Sequence, residues 1–395
     1  VIEPWKREGE SFALEDRYSR SPVEFSAFVQ DKIELDYFIF NAGLRFDYVN
    51  PRTRMWSDLE NPESQLVKVG AKHQLSPRLG LSHPITDRTM LYFSYGRFLQ
   101  TPSYDAFYSK SRNLDPENLK ELKFGLVGNS DLDVQRTTAY EFGLRQELNP
   151  RTGLNITAFN RDITGLLGTE LVRVTGEKYP YQYVIYSIID YANVKGIEFS
   201  LERRRGRHFG ANVNYTLSVA KGNRSDPLEG YFNVLTEQPE EQQEFFLDFD
   251  RRHVLSADVT LALLEGDGPR ILGVFPFENT TLNVIIQYAS GLPYTPFTET
   301  GELLAEKNSA RKPWTGTIDL HLEKNLTSSR VKHSVFLEII NLTDRLNVLR
   351  VDPITGDVWQ VGILGGASAE NLDVAFNPAD VGPPRIWRLG LRSQF

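Results

Sequence analysis

The sequence predicts an all-β protein, and within that class a transmembrane antiparallel β-barrel, from three observations. Apolar and polar residues alternate in segment after segment, as in YFIFNAGLRFDYVN at 37–50. Several segments are long enough to cross a bilayer, since a tilted spanning strand needs about 9–11 residues, whereas soluble strands are typically about 5–6 residues long. The connections alternate between short and long, which is typical of bacterial outer-membrane barrels.

Thirteen strands follow from this alternation. In chain order they cover 23–35, 37–50, 74–85, 88–100, 137–149, 153–165, 192–204, 209–221, 250–264, 279–291, 313–325, 330–343 and 385–395. Strand side chains alternate between two faces, so one face is predicted to contact lipid and the other the lumen. The residues predicted to face lipid include Phe38, Phe40, Leu44, Leu282, Val284, Ile286, Leu389 and Leu391. Those predicted to face the lumen include Arg45, Asn212, Asn214, Asp319, Arg388 and Arg392.

The lengths of the connections predict which side of the membrane each one occupies. Long connections are predicted at 51–73, 101–136, 166–191, 222–249, 292–312 and 344–384. Short ones are predicted around Asp36 and at 86–87, 150–152, 205–208 and 326–329, while 265–278 is intermediate and fits the alternation least well. Long loops of outer-membrane barrels are extracellular and short turns periplasmic. Residues 1–22 are then the tail of an extracellular loop, and residues 1–395 are predicted to be barrel throughout.

Composition and motifs argue against several other classes of function. The 395 residues carry a net charge of −8, which argues against binding to nucleic acid. Cysteine is absent, so disulfides, thiol chemistry and cysteine-based zinc sites are excluded. There is no GxSxG, Walker or GxGxxG motif, so we expect neither an enzyme nor a cofactor. No two of the six histidines have metal-motif spacing, and the alternation puts His321 inward and His333 outward.

The densest basic run of the chain, ERRRGRH at 202–208, lies on a predicted periplasmic turn. A solvated turn is the simpler interpretation, and contact with anionic headgroups or with a partner is the alternative.

A series of motifs runs in order through nearly the whole chain. FSAFVQDKIEL at 25–35 precedes FNAGLRFDY, and SPRLGLSHPITDRTMLYFSYGRFLQTPSYDAFY follows at 76–108. TTAYEFGLRQEL, YANVKGIEFSLERR, FDRRHVLSADV, SGLPYTP and FLEIINLTDRLNV complete the series. Their order and spacing resemble the C-terminal part of the barrel of a TonB-dependent outer-membrane receptor, and within that family the Oar-like branch.

This resemblance implies an active-transport receptor of the Gram-negative outer membrane. Such a receptor binds an extracellular ligand and imports it with energy delivered by TonB through a plug domain and a TonB box. Neither the plug nor the box is recognisable in this chain, and thirteen strands are fewer than the 22 of the family's barrel. The chain is therefore expected to be a fragment, a partly represented chain or one part of a split receptor. A passive porin-type channel and an outer-membrane hydrolase are the alternative functions.

The C-terminal strand resembles the signal that the barrel assembly machinery reads in this class of protein. In IWRLGLRSQF at 386–395, Trp387, Leu389, Leu391 and Phe395 share the face predicted to contact outer-membrane lipid. These four residues are therefore the predicted assembly signal.

Aromatic residues in two of the longest loops are the candidate ligand contacts. They are Tyr104, Phe107 and Tyr108 in loop 101–136, and Tyr231, Phe232, Phe245 and Phe246 in loop 222–249. Aromatic rings among polar neighbours suit a large amphipathic ligand, because they offer contact area at low entropic cost. The alternative is that these rings only pack loop against loop. The ligand class stays open among a ferric siderophore, cobalamin, a glycan and a peptide or protein.

Overall fold

A computed structural model of the chain describes residues 18–61, 64–109, 125–174, 181–235, 243–327, 332–358 and 378–394. Within these ranges the chain forms one large antiparallel sheet, in which each long strand pairs with its neighbours in sequence. The thirteen strands are β1 (Val23–Glu34), β2 (Ile39–Asn50), β3 (Lys72–Thr86), β4 (Thr89–Gln100), β5 (Gln135–Asn149), β6 (Thr152–Val174), β7 (Tyr181–Arg203), β8 (Phe209–Gly222), β9 (His253–Leu263), β10 (Thr280–Ala289), β11 (Thr315–Thr327), β12 (Lys332–Ile340) and β13 (Ile386–Gln394). All thirteen predicted strands are confirmed.

The register of the sheet shows that the alternation in the sequence separates two faces. Directly opposed residues of antiparallel neighbours share a face, so each face can be traced from strand to strand. One row contains Leu389, Leu337, Leu322, Leu282, Leu261 and Phe209. The adjacent row contains Arg388, Glu338, His321, Asn283, Thr260 and Gly210. We call the sides that carry these rows the apolar face and the polar face.

The apolar face continues across the first half of the sheet. From β2 to β8 its row contains Phe40, Leu81, Phe93, Phe142, Ala158, Ile197 and Leu217. Phe38 stacks on the ring of His83 with 4.7 Å between ring centroids, on the same side as Leu81. The predicted separation of lipid-facing from lumen-facing residues onto opposite faces is confirmed. So is the placement of His321 and His333 on opposite faces.

The connections fall at two ends of the sheet, which we call the turn end and the loop end. The turn end carries the connections β1–β2, β3–β4, β5–β6, β7–β8 and β9–β10, and the last of these, 264–279, is the longest of the five. Of the predicted turn 326–329, residues 326 and 327 belong to β11, and 328 and 329 lie outside the described residues. The loop end carries the longer segments, with helices α1 (Tyr104–Tyr108) and α2 (Glu229–Leu235). Short strands in these segments are Arg54–Trp56, Leu66–Lys68, Leu126–Val127, Phe245–Phe246, Pro293–Tyr294 and Ala310–Arg311.

The prediction of a long loop over 166–191 is wrong. Strands β6 and β7 have 23 residues each, so they continue past the loop end of their neighbours as an extended hairpin, residues 165–174 and 181–190. Val172 and Tyr183 pack on one face of this hairpin with Met55, whereas Leu167 and Ile188 pack on the other with the segment around α1. Because loops cover both faces, the extension is apolar on both sides and does not show the half-polar pattern that revealed the other strands.

The two edges of the sheet are β1 and β13. Strand β1 pairs only with β2, and β13 pairs only with β12, among the residues that the structure describes. The expectation that 23–35 and 385–395 are the two ends of an open sheet is confirmed.

None of the helices in the described ranges is long and apolar enough to cross a membrane.

Candidate functional site

The loop end is a packed layer built around the extended hairpin. On one side, Met55, Val69 and Val127 bury their side chains against the hairpin, and the Tyr183 hydroxyl donates a hydrogen bond to the carbonyl oxygen of Leu59 at 3.0 Å. The short strand Leu126–Val127 adds to β7 in parallel, opposite Val184 and Ile185. The connections β2–β3 and β4–β5 are therefore fixed to the same support.

Helix α1 positions three of the predicted ligand-contact residues. Ser103 caps its N-terminus, since its side chain accepts a hydrogen bond from the Ala106 N–H. Phe107 and Tyr108 are each 1% exposed and pack with Leu132. The Tyr108 hydroxyl donates to the carbonyl oxygen of Pro51 at 2.8 Å, and burial raises the pKa of this hydroxyl. In this conformation both rings pack loop against loop, so their role in ligand contact stays a prediction.

Tyr104, at the start of the same helix, is 47% exposed. Its hydroxyl donates a hydrogen bond to Oε1 of Glu24 at 2.8 Å. That hydrogen bond raises the pKa of Tyr104, and partial burial and the charge of Glu24 act in the same direction, so the hydroxyl stays a donor over a wider pH range. Tyr18 makes a similar link, donating to Oδ1 of Asp105 at 3.0 Å. The Tyr104 ring is thus exposed and held in position.

Helix α2 carries two further candidates and is held by a buried ion pair. Nε of Arg224 lies 3.2 Å from Oδ2 of Asp190, and their side chains are only 7% and 1% exposed. Arg224 also donates from Nη1 to the Thr169 carbonyl oxygen at 2.8 Å. Gly230 approaches the hairpin so closely that a Cβ there would lie 2.5 Å from the same Thr169 oxygen, which explains the glycine.

The two aromatic residues of α2 lie above this anchor. The ring centroids of Tyr231 and Phe232 are 5.7 Å apart. Tyr231 is half-buried, and Phe232 is 54% exposed. The buried support and the exposed ring give α2 the same organisation as α1.

Phe245 and Phe246 point to opposite sides of a short strand that adds to β8. Phe245, opposite Gly222, is 6% exposed and packs with Ala192, Ala220 and Leu247. Phe246 lies among three cations, with its ring centroid 5.1 Å from Lys221 Nζ, 5.1 Å from Arg252 Cζ and 5.3 Å from Arg311 Cζ. The face of an aromatic ring attracts cations, so this cluster stabilises the end of the β8–β9 loop.

The carboxylate of Asp250 completes this cluster. It accepts a hydrogen bond from the Ala220 N–H at 2.6 Å, and it pairs with Arg311 and Arg252 while its own side chain is 1% exposed. Two of the three cations around Phe246 thereby share one buried counter-charge.

The sequence analysis missed a recess on the polar face of β1–β5. Its volume is about 790 Å³, and its lining includes Phe28, Arg45, Arg78, Phe98 and Glu141. Phe28 is 69% exposed although it lies on the polar face, opposite Arg45. The alternation of β1 places Phe28 with Ser26 and Gln30, so an aromatic residue at a polar-face position was the signal available in the sequence.

The predicted assembly signal lies on the apolar face of edge strand β13. Trp387, Leu389 and Leu391 are 59%, 79% and 69% exposed. The Arg385 guanidinium lies 5.8 Å from the centre of the Trp387 ring. Phe395 lies outside the described residues, so the assembly role of these four residues stays a prediction.

Within the described part of the chain, no group of three or more His, Cys, Asp or Glu side chains is arranged to hold a metal ion.

Comparison with solved structures gives the fold directly. The ferric-catecholate import receptor Fiu of Escherichia coli K12 superposes with a TM-score of 0.54 at 14% identity, over 94% of this chain and 44% of Fiu. The ferric enterobactin receptor PfeA of Pseudomonas aeruginosa superposes with a TM-score of 0.54 at 17% identity, over 94% of this chain and 45% of PfeA. The iron transporter FrpB of Neisseria meningitidis superposes with a TM-score of 0.55 at 13% identity, over 95% of this chain and 46% of FrpB. The chain thus spans less than half the length of these receptors.

Comparison of sequences gives the family. No curated protein matches the chain. The sequence model described as "TonB dependent receptor-like, beta-barrel" matches residues 7–342. The predicted Oar-like branch is not distinguished by this match. The chain belongs to the TonB-dependent receptor family, and its thirteen strands are part of an outer-membrane β-barrel.

Proposed function

We propose that the chain is the ligand-binding barrel part of an active-transport receptor that imports an extracellular ligand with TonB-derived energy. In this assignment the loop end is extracellular, the turn end periplasmic and the polar face lines the lumen. The partners are TonB, acting through a plug and TonB box of the kind the family carries, the outer-membrane lipid and the barrel assembly machinery. The barrel itself carries out no covalent chemistry.

The observation that carries the proposal is the rigid support beneath exposed aromatic rings at the loop end. Tyr104 and Phe232 are about half exposed, and each stands on a short helix whose other side is anchored to the extended hairpin. A surface that is already ordered loses little conformational entropy when a ligand binds. A passive porin needs no such preorganised external surface, because its selectivity lies in the channel.

The ligand is proposed to be large and amphipathic, because aromatic rings here lie among carboxylates and amides. A ferric siderophore, cobalamin, a glycan and a peptide or protein all remain candidates. Fiu, FrpB and PfeA are named for iron or iron-chelate import, and a further structural relative was solved with a pyocin. Those are properties of the relatives, and they make ferric chelates the first probes to test.

The proposal is tested by uptake into cells that produce the native protein. Labelled ferric catecholate, cobalamin and a linear oligosaccharide are offered in turn, with and without a protonophore that removes the energy source of TonB. The expected result is that one of the ligands shows saturable binding and uptake. The protonophore should abolish the uptake of this ligand and leave its binding unchanged. Uptake that rises linearly with concentration and ignores the protonophore would establish a porin, and ligand hydrolysis would establish the hydrolase alternative.

A matched pair of variants tests where the ligand binds. Phe232→Ala should weaken binding of the transported ligand about tenfold or more, because an exposed aromatic contact is removed. Phe277→Ala is the control, since Phe277 is also about half exposed but lies at the turn end. Equal effects of both variants would contradict an extracellular binding site on α2.

A further inference from the structure

The turn that joins β9 to β10, residues 264–279, exposes an apolar tip at the turn end of the sheet. Ile271, Leu272, Val274 and Phe277 are 48%, 100%, 62% and 50% exposed. Apolar side chains next to one another in a loop tip are unusual on a surface that meets only water, and such patches mark contact with a partner or a membrane.

The backbone at this tip shows that the leucine is not required by the turn. Ile271 and Val274 form an isolated antiparallel bridge, with hydrogen bonds of 2.9 and 3.1 Å between their backbones. The two residues between them have positive φ, 51° at Leu272 and 89° at Gly273. A two-residue hairpin loop of this form prefers Asn-Gly or Asp-Gly, because a bulky residue with positive φ is strained. Leu272 therefore occupies a strained position without gaining any burial within the described protein.

Exposed cations lie on the β7–β8 turn, which adjoins the turn that carries this apolar tip. Asp267 in the same turn pairs with two residues of the neighbouring β7–β8 turn. Its Oδ1 lies 3.0 Å from Nη2 of Arg207, and its Oδ2 lies 3.3 Å from Nδ1 of His208. The exposed Arg204 and Arg205 precede Arg207, and no described carboxylate lies within 4.0 Å of either side chain. The turns β7–β8 and β9–β10 are thus held together, with apolar side chains on one and free guanidinium groups on the other.

We propose that this pair of turns anchors the barrel in the inner, periplasmic leaflet of the outer membrane by binding anionic phospholipid headgroups. The apolar tip enters the boundary between headgroups and acyl chains, where apolar side chains on an amphipathic surface are stabilised. Arg204 and Arg205 bind phosphate groups beside it, as basic residues do at anionic leaflets. Because the arginines are positively charged, an anionic lipid headgroup fits this surface better than a neutral protein pocket does.

The inference rests on the orientation given in the proposed function, but not on its transport activity. It depends on the position of the turn end at the periplasmic surface of an outer-membrane barrel, not on which ligand is imported or on TonB. The observations that carry it are Leu272 at a strained, fully exposed position and the exposed Arg204 and Arg205 on the adjoining turn.

The absence of cysteine in the sequence makes a direct test available. Leu272→Cys is introduced into the native protein, labelled with an environment-sensitive fluorophore and reconstituted into vesicles of phosphatidylcholine with or without phosphatidylglycerol. The expected result is a blue-shifted emission that nitroxide lipids quench, most strongly when the nitroxide lies near the headgroup. Leu304→Cys is the control, because Leu304 is 63% exposed in the β10–β11 loop at the other end and should keep a water-like, unquenched emission.

A second pair of variants separates the apolar tip from the fold of the turn. Leu272→Asn suits the positive φ at this position and should leave the barrel folded. A fluorophore attached at Val274→Cys in the Leu272→Asn background should be quenched by nitroxide lipids at least about twofold less than in the background with Leu272, because insertion of the tip is lost. Arg204→Gln with Arg205→Gln should remove the extra quenching that phosphatidylglycerol produces. Water-like emission from position 272 in both vesicle types would overturn the proposal, and so would a blue shift without lipid quenching, which indicates a protein contact. Equal quenching with and without phosphatidylglycerol would overturn the headgroup assignment.

Discussion

Single residues of the sheet experience very different surroundings depending on the face to which they point. Val284 of β10 lies opposite Val259 and Leu320 on the apolar face. Three residues later, Gln287 lies opposite Ser256 and Thr317 on the polar face. Because the period of a strand is two residues, positions an odd number apart on the same strand point to opposite faces.

Val284→Arg should destabilise the barrel by about 2–4 kcal/mol if the site is at mid-bilayer, because the charge would be placed in hydrocarbon. Reversible unfolding in urea from lipid vesicles, followed by tryptophan fluorescence, measures this loss of unfolding free energy. Gln287→Arg is the matched control on the same strand and should cost far less, since its side chain enters the polar lumen. Equal costs would show that the two faces are wrongly assigned.

Phe395 is predicted to belong to the signal that the assembly machinery reads. Deletion of Phe395 should lower the amount of barrel in the outer membrane several-fold, because the alternating strand would lack its predicted terminal recognition residue. The heat-modifiable fraction in isolated outer membranes reports the result. Ser393→Ala, a neighbouring change on the same strand face, should leave assembly unchanged; normal assembly without Phe395 would remove it from the predicted signal.

At the level of elements, the extended hairpin of β6 and β7 organises the loop end. Its one face supports the β2–β3 connection and its other face supports the segment around α1. The Asp190–Arg224 pair then fixes the loop that contains α2 to the same hairpin. Three separate loops therefore depend on two strands that continue beyond the others.

Asp190→Asn should release the α2 loop, because it removes the buried carboxylate that pairs with the Arg224 guanidinium. Breaking a buried pair in this way costs about 3–5 kcal/mol. Hydrogen exchange should show loss of protection in 223–235 while β10 and β11 stay protected. Asp131→Asn is the control, since it breaks the exposed Lys72–Asp131 pair of 2.7 Å at the same end and should cost about 0–1 kcal/mol. Unchanged protection of 223–235 would mean that packing alone holds the loop.

Deletion of 228–246 tests the β8–β9 loop as a whole. Ligand binding should be abolished, because the deletion removes Phe232, the exposed aromatic residue of α2. The thirteen long strands are left intact, so the heat-modifiable electrophoretic mobility of the barrel should be kept. If uptake and binding both survive the deletion, the loop is structural and specificity lies in the lumen or the plug.

At the level of the whole molecule, the sheet has two edges that no other described strand of this chain pairs. An unpaired strand edge in lipid leaves backbone groups without hydrogen bonds, each costing several kcal/mol. Further strands must therefore complete the barrel between β13 and β1. This agrees with the chain's coverage of 44% of Fiu and 46% of FrpB.

Cysteine pairs test this open arrangement in the native membrane. Leu337→Cys with Leu389→Cys should form a disulfide readily, because these residues are directly opposed on β12 and β13 and lie within the reach of a disulfide. Val29→Cys with Leu389→Cys should form none, because β1 and β13 are not neighbours. Non-reducing electrophoresis distinguishes the two. An efficient 29–389 crosslink would indicate a closed thirteen-stranded barrel and contradict the partial-barrel assignment.

The strands and their faces could be predicted because each is a local property. A strand such as β10 with one face in lipid and the other in a polar lumen must alternate, and the alternation is readable without knowing its neighbours. The family followed in the same way from short motifs such as SGLPYTP and FLEIINLTDRLNV, kept in order along the chain.

The candidate site depended on contacts between residues far apart in sequence. Sequence reasoning selected aromatic residues in the right loops but could not separate the exposed Tyr104 and Phe232 from the buried Phe107, Tyr108 and Phe245. Burial of these rings is decided by Leu132, Ala192 and Leu247, which the fold brings beside them.

The sequence by itself determined the fold class, the thirteen strands, their two faces and the resemblance to a family, because the side chains of a strand alternate between two faces and a spanning strand needs one of them apolar. Only the tertiary structure decided the extended hairpin, the buried Asp190–Arg224 pair and which loop aromatics reach the surface. At the loop end the extended hairpin is covered on both faces by the chain's own loops. There the positions of the apolar residues follow from three-dimensional packing and show no regular spacing in the sequence.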